Sequence, residues 1–271
     1  MSLGIVIKAP EGLVLAAESR VTLESAAVDG RPLSVTYDHA VKLLSFSEPN
    51  SWVGALTYGQ ALLGPRTPAS FVPEFESALP ERRLGVEEFS RRLSDFLLGQ
   101  WRASMPGDYA GPDMTFVVAG FDEGDPYGRV FLFDVPRRPE PVEQNPGATV
   151  FGMTWGGQHE IVHRIVKGFD PAALPIIARE LGIDPERAVS LGEALTAELA
   201  LQLPLDAMPL QDCVDLALFF VRTTIDAQRL SLGIRGCGGP IDVATLTRRD
   251  GLRFVQRKSL EGEVGDAGRA R

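Results

Sequence analysis

Ser2 sits directly behind the initiator Met1. Removal of Met1 is usual where the second residue is small, and it would leave Ser2 with a free α-amine beside its own hydroxyl. That pair is a nucleophile with a built-in base. An α-amine has a pKa of about 7.7–8.0 and can take the hydroxyl proton near neutral pH. The following residues are patterned to hold such a group. An apolar run over 3–9 leads into Pro10-Glu11-Gly12, and a second run over 13–18 ends on Glu18, with Arg20 just beyond. A second chemistry is written in His159-Glu160-Ile161-Val162-His163, a literal H-E-x-x-H. On a helix its two imidazoles lie one turn apart and could bind Zn²⁺, with Glu160 as general base and Glu180 downstream as third ligand. Against that reading stand Gly156-Gly157 immediately before the motif and Pro171 and Pro175 before Glu180. As the alternative, the two histidines are an ordinary polar helix face.

The elements that must position these residues can be read from periodicity. The runs 3–9 and 13–18 read as a β-hairpin, and 24–38, polar with Asp29-Gly30, as an extended hairpin or projecting loop. Residues 41–46 and 52–56 read as two further strands. The stretch 64–80 carries four prolines and should be irregular. Val86, Phe89, Leu93, Phe96, Leu97 and Trp101 recur at three- and four-residue steps, so 86–105 should be a helix. Residues 114–121 and 129–135 read as a strand pair and 148–155 as a short strand, with Gly156-Gly157 opening a helix to about 168. Helices follow near 170–181, 185–202 and 210–228, the last with Asp212 and Asp215 in its first turn, where the helix dipole favours acids. A strand pair, 240–247 and 252–258, closes the fold. Residues 259–271 read as a disordered tail after one domain over 1–258. Hairpins with helices grouped between them imply an α+β fold of two stacked antiparallel sheets with helices outside.

The composition bounds the function classes. The chain has 271 residues, 44% hydrophobic and 23% charged, as in an ordinary globular protein. Its net charge of −9, from 27 basic against 36 acidic residues, argues against a nucleic-acid or anionic-membrane partner. No apolar run nears the roughly 20 residues that cross a bilayer, and no secretory signal pattern opens the chain. Cys213 and Cys237 are too few for a disulfide framework. A cytoplasmic location is the default expectation.

The first twenty residues resemble the mature start of a proteasome-type β subunit, an N-terminal-nucleophile (Ntn) hydrolase. Ser2, Gly12, Ala16-Ala17-Glu18 and Arg20 stand at the family's spacing without a gap. The resemblance implies a four-layer αββα sandwich and hydrolysis of peptide bonds without any cofactor. It makes Ser2 the nucleophile and Lys42 the cation near it. Glu18 stands where the family has an aspartate paired with that lysine. The oxyanion is assigned to a backbone N–H at Tyr58 or Gly59, in a strand-to-helix turn. Two supporting positions depart from the pattern. Trp155, before Gly156, replaces a serine, and Ile234-Arg235-Gly236-Cys237-Gly238-Gly239 keeps the glycines but has Cys for Ser and lacks the Asp. These departures favour another reading, a non-catalytic subunit kept for assembly. The resemblance covers most of the chain in order, and its first sixty residues carry the specific motifs. It implies peptide or unfolded-protein substrates and an ATP-driven unfoldase as a candidate partner. The apolar helices at 86–105 and 210–228 add the expectation of a homo-oligomer, a ring of six or seven or a stacked or spiral variant.

Overall fold

The computed structural model describes residues 2–26, 32–233 and 235–262. The expectations that fall on Met1, on Ile234, on the tip of the 24–38 segment and on most of the tail lie outside the described residues. The N-terminal hairpin forms where the apolar runs imply. β1 (Leu3–Ala9) and β2 (Gly12–Glu18) pair antiparallel, and every residue of both is buried. Unbroken burial explains why these strands read as continuous apolar runs. A period of two then divides them. Leu3, Ile5, Ile7, Val14 and Ala16 share one cluster, whereas Val6, Leu13 and Leu15 share another.

One sheet has the order β10-β1-β2-β11-β12, in which β10 is Gly152–Gly157, β11 Ile241–Thr247 and β12 Gly251–Gln256. The other runs β5-β6-β7-β8-β9: Leu43–Ser45, Val53–Gly59, Met114–Gly120, Arg129–Val135 and Arg138–Gln144. A separate two-stranded ribbon joins β3 (Val21–Ala26) to β4 (Pro32–Tyr37). Six α-helices lie among the described residues: α1 (Val72–Ser77), α2 (Val86–Ser104), α3 (Glu160–Val166), α4 (Ala173–Leu181), α5 (Pro185–Leu199) and α6 (Leu210–Leu230). The chain is α+β with antiparallel sheets, as its pattern implies.

Packing follows from which face each apolar residue takes. α2 buries Val86, Phe89, Leu93, Leu97 and Trp101 against Phe116, Val118, Phe131 and Phe133. α6 lays Cys213, Val214, Ala217, Phe220 and Val221 over Ile5, Ile7, Val14 and Val243. Its first turn is tied down by Glu11, whose Oε2 accepts from Leu210 N–H at 2.8 Å. Leu13, Leu15, Ala244 and Leu246 of one sheet meet Leu56, Val117, Ala119 and Val130 of the other. Among the described residues no helix is long and apolar enough to cross a membrane.

Three local expectations change. The proline-bearing stretch 64–80 holds a 3₁₀ turn, Pro68–Phe71, and α1, because proline is tolerated in a helix's first turn and Phe71 and Phe75 find core contacts. β9 has no counterpart in the sequence reading. Its Pro139 and Pro141 argue against a strand but are compatible with an edge, and β9 pairs on one side only, with β8. Gly156 and Gly157 do not open a helix. They end β10, and α3 starts at Glu160.

Phe220 is fully buried and its neighbour Phe219 is half exposed. We expect Phe220→Ala to lower the free energy of unfolding in urea by about 3–5 kcal/mol. Phe219→Ala should change it by about 0.5 kcal/mol or less. Equal losses would mean that α6 does not use the face described.

Candidate active site around Ser2

Ser2 is held by its backbone before its side chain is considered. Leu3 pairs with Gly157 across β1 and β10, and the Ser2 carbonyl accepts from Gln158 N–H at 2.6 Å. Gly157 has φ +89°, and a Cβ there would fall 1.7 Å from the Ser2 carbonyl oxygen. Only glycine allows this approach. The sequence reading marked the glycine pair as a helix start. Its structural use is to let β10 close onto Ser2, which is itself 5% exposed.

Glu18 ends β2 beside Ser2 and is surrounded by donors. Its Oε1 accepts from Leu3 N–H at 3.3 Å and from the Lys42 ammonium. Its Oε2 accepts from Arg20 N–H at 2.7 Å and Gly238 N–H at 3.0 Å. Lys42 also donates to the Arg20 carbonyl. The side chains of the pair are 8% (Lys42) and 0% (Glu18) exposed. Burial pushes the Lys42 ammonium below its ordinary pKa, while Glu18 pulls the other way. The extra methylene of a glutamate at this position leaves the pair intact, because the backbone donors of Leu3, Arg20 and Gly238 fix the carboxylate where Lys42 reaches it.

Arg20 holds the rim. Its Nε and Nη2 bind both oxygens of Asp38 at 2.6 and 2.9 Å, and its Nη1 donates to the Arg235 carbonyl at 3.2 Å. The guanidinium keeps the Asp38 carboxyl below its usual range. Asp38 was not legible in the sequence, since a lone acid at the end of a polar segment carries no period or motif. Gln158 and Gln228 were missed for the same reason. Gln228 Oε1 accepts from Cys237 N–H at 2.8 Å, and Gln228 Nε2 donates to Gln158 Oε1 at 2.8 Å. That chain links the Cys237–Gly238 loop to the segment that holds Ser2. The Cys237 thiol is buried, and burial raises its pKa. Both favour the neutral thiol over the thiolate.

Thr57-Tyr58-Gly59 is the end of β6 and not a turn into a helix. Thr57 N–H donates to the Lys42 carbonyl at 2.9 Å. Strand N–H groups alternate sides, so the Gly59 N–H points the same way, past the start of β5. Gly59 has φ +87°, and a Cβ would lie 2.2 Å from the Asp113 carbonyl oxygen. The Tyr58 ring instead lies against Gly4 and Gly156, and burial raises the pKa of its phenol.

Ser2, Lys42, Thr57 and Gly59 line one cavity of about 370 Å³. Val21, Leu23, Leu62 and Pro68 supply apolar walls, and Tyr37 and Val41, both exposed, form the lip. The structure thus brings together Ser2, Glu18, Arg20, Lys42, Gly59 and the Cys237–Gly238 loop. It does not bring together His159, His163 and Glu180. Glu180 lies in α4 and pairs with Arg179 at 2.9 Å. Among the described residues no group of three or more His, Cys, Asp or Glu could hold a metal. The third ligand of the H-E-x-x-H reading is therefore corrected, because a separate helix carries it away.

No family model matches the chain, and no curated protein matches it. Solved structures do. One, described as the helical assembly of the Anbu complex from Pseudomonas aeruginosa, superposes with TM-score 0.58 at 16% identity, over 96% of this chain and 88% of that one. Another, Anbu (ancestral beta-subunit) from Yersinia bercovieri, gives TM-score 0.56 at 16% identity, over 93% and 87%. At such identity the likeness is one of fold. The resemblance to a proteasome-type β subunit is corrected accordingly, since these neighbours are Anbu proteins, proteasome-like but a distinct family.

The Glu18–Lys42 pair sets a measurable expectation. Lys42→Met leaves a buried carboxylate without its counter-charge and should cost about 3–5 kcal/mol. Adding Glu18→Gln should recover part of that loss, so the double variant is less damaged than the summed singles. In Glu18→Gln alone, burial depresses the Lys42 pKa without the opposing pull of Glu18. The unfolded chain, with its lysine near 10.5, then binds more protons than the folded one. Stability of this variant should rise as pH climbs from the folded pKa toward that value. Strict additivity in urea unfolding would mean that the two side chains are not coupled.

Proposed function

We propose that this chain is an Anbu-like subunit that hydrolyses peptide bonds with Ser2 as N-terminal nucleophile after loss of Met1. The feature that supports this reading is that Ser2, Lys42 and Gly59 line one cavity, with Glu18 paired to Lys42. In the reaction, Ser2 Oγ attacks the scissile carbonyl while its α-amine accepts the hydroxyl proton. The Gly59 N–H stabilises the oxyanion. Collapse of the tetrahedral species breaks the C–N bond, and the α-ammonium returns the proton to the leaving amine. Water then attacks the Ser2 ester by the same proton route and restores the hydroxyl. Lys42, held by Glu18, keeps a positive potential near the α-amine and favours its neutral, basic form. The apolar walls suit an uncharged, apolar side chain on the acyl side of the cleaved bond. No metal or organic cofactor is part of this scheme.

The finer architecture belongs to the same reading. The three core clusters support a four-layer αββα sandwich, read as one domain over 1–258. We also propose that the subunit works inside a cytoplasmic homo-oligomer, with unfolded peptide as substrate and an ATP-driven unfoldase as candidate feeder.

A second reading, an assembly subunit without catalysis, has its own support. Trp155 and Cys237 stand where supporting hydroxyls are expected, and the thiol is a poor donor. The comparisons lean toward this reading, because one neighbour is a helical assembly.

Intact-mass spectrometry and covalent labelling separate the two readings. A peptide electrophile ending in leucine should add one equivalent to the wild-type chain lacking Met1. It should add none to Ser2→Ala, and it should react more than about tenfold slower with Lys42→Met, the scale on which general-base and electrostatic aids operate. A chain that retains Met1 and takes no label, yet scatters light as an oligomer, would establish the assembly reading instead.

A further inference from the structure

The H-E-x-x-H segment is not used by the Ser2 chemistry, and its geometry points elsewhere. His163 N–H donates to the His159 carbonyl at 2.8 Å, so the two residues are separated by one helical turn. Their rings lie 4.6 Å apart between centroids. His159 Nδ1 is 2.9 Å from the Gly157 carbonyl oxygen. A carbonyl can only accept, so Nδ1 carries the proton, and Nε2 of the neutral ring presents its lone pair. A backbone carbonyl on the far nitrogen is the arrangement that orients metal-bound imidazoles. His163 is half-buried and packed edge-on against Trp155 at 5.6 Å, which fixes its ring, while His159 is open to solvent.

We infer that His159 and His163 form a two-imidazole site for a borderline divalent transition ion such as Zn²⁺, with water completing the shell. Imidazole nitrogen suits this class of ion, with bonds of about 2.0–2.1 Å, and a centroid separation of 4.6 Å brings the two rings within reach of a shared ion. Neither Glu180 nor a general base is needed, so the site is a binding site and not a metallopeptidase centre. It adjoins the segment Gly157–Gln158 that grips Ser2. An ion there would clip the start of α3 to its next turn and stiffen that segment. The inference is independent of whether Ser2 is catalytic.

Zn²⁺ alone, titrated calorimetrically into the full, tag-free chain, is the test. One equivalent should bind, and His159→Gln and His163→Gln should each weaken it by at least about tenfold, a loss that even outer-shell partners can cause. His39→Gln, the remaining histidine, should bind as wild type does. Cu²⁺ should quench a tryptophan emission component that is absent in Trp155→Phe. Should His163→Gln fail to fold, the exposed His159→Gln carries the comparison alone. No saturable binding by the wild-type chain, or wild-type affinity in His159→Gln, overturns the site.

Discussion

A carboxylate cut off from water must be given donors by the protein, and Glu18 is the group on which this site turns. Its partners come from the start of β1, the link after β2, the residue before β5 and the loop at Gly238, which are distant in sequence. Burying such a charge is costly unless its lone pairs are filled. The carboxylate therefore draws four segments into one register. Lys42 also spans to the Arg20 carbonyl, so the ion pair and the backbone of the rim are fixed together. The chain has exchanged freedom at this point for a single arrangement.

Close backbone approach is the second constraint. At Gly157 a strand end meets the Ser2 carbonyl more closely than any side chain allows, and at Gly59 the end of β6 turns against Asp113. Both glycines sit at strand ends, and Gly59 lines the cavity. Sheets position these ends well because the rest of each strand is buried and its register is set by the period of two. The Gln158–Gln228–Cys237 chain then ties α6 to the same place. The positions of Trp155 and Cys237 thus keep a connected backbone framework even though their side chains lack hydroxyls. The comparisons carry the fold and no more, so what the site does rests on its geometry.

Much of the framework was legible in the residues. The hairpin around Pro10-Glu11-Gly12, α2 and α6 follow from apolar spacing, because each buries a stripe or face that periodicity reveals. Ser2, Glu18, Arg20 and Lys42 stand out in the sequence, and the chain folds Glu18, Arg20 and Lys42 into contact, with Lys42 lining the same cavity as Ser2. The family named from residues 1–20 was not the one the fold matches. The spacing of a short motif does not by itself fix a family. β9 was hidden because its prolines, tolerable only at an edge, read as breakers until its single partner was known. The helix at Val72–Ser77 was hidden because Phe71 and Phe75 earn their place through tertiary contacts.

The sequence by itself determined the strand and helix periods, the small residues where backbones meet and a hydroxyl at position two. Tertiary structure alone decided that Glu18 reaches Lys42 despite its added length, that Asp38 neutralises Arg20, and that Glu180 stands apart from His159 and His163. The reason is physical. Local periodicity is set by neighbours three or four residues away, or two in a strand. An ion pair or a shared cavity depends on where separate strands end in space, which no short window of sequence contains.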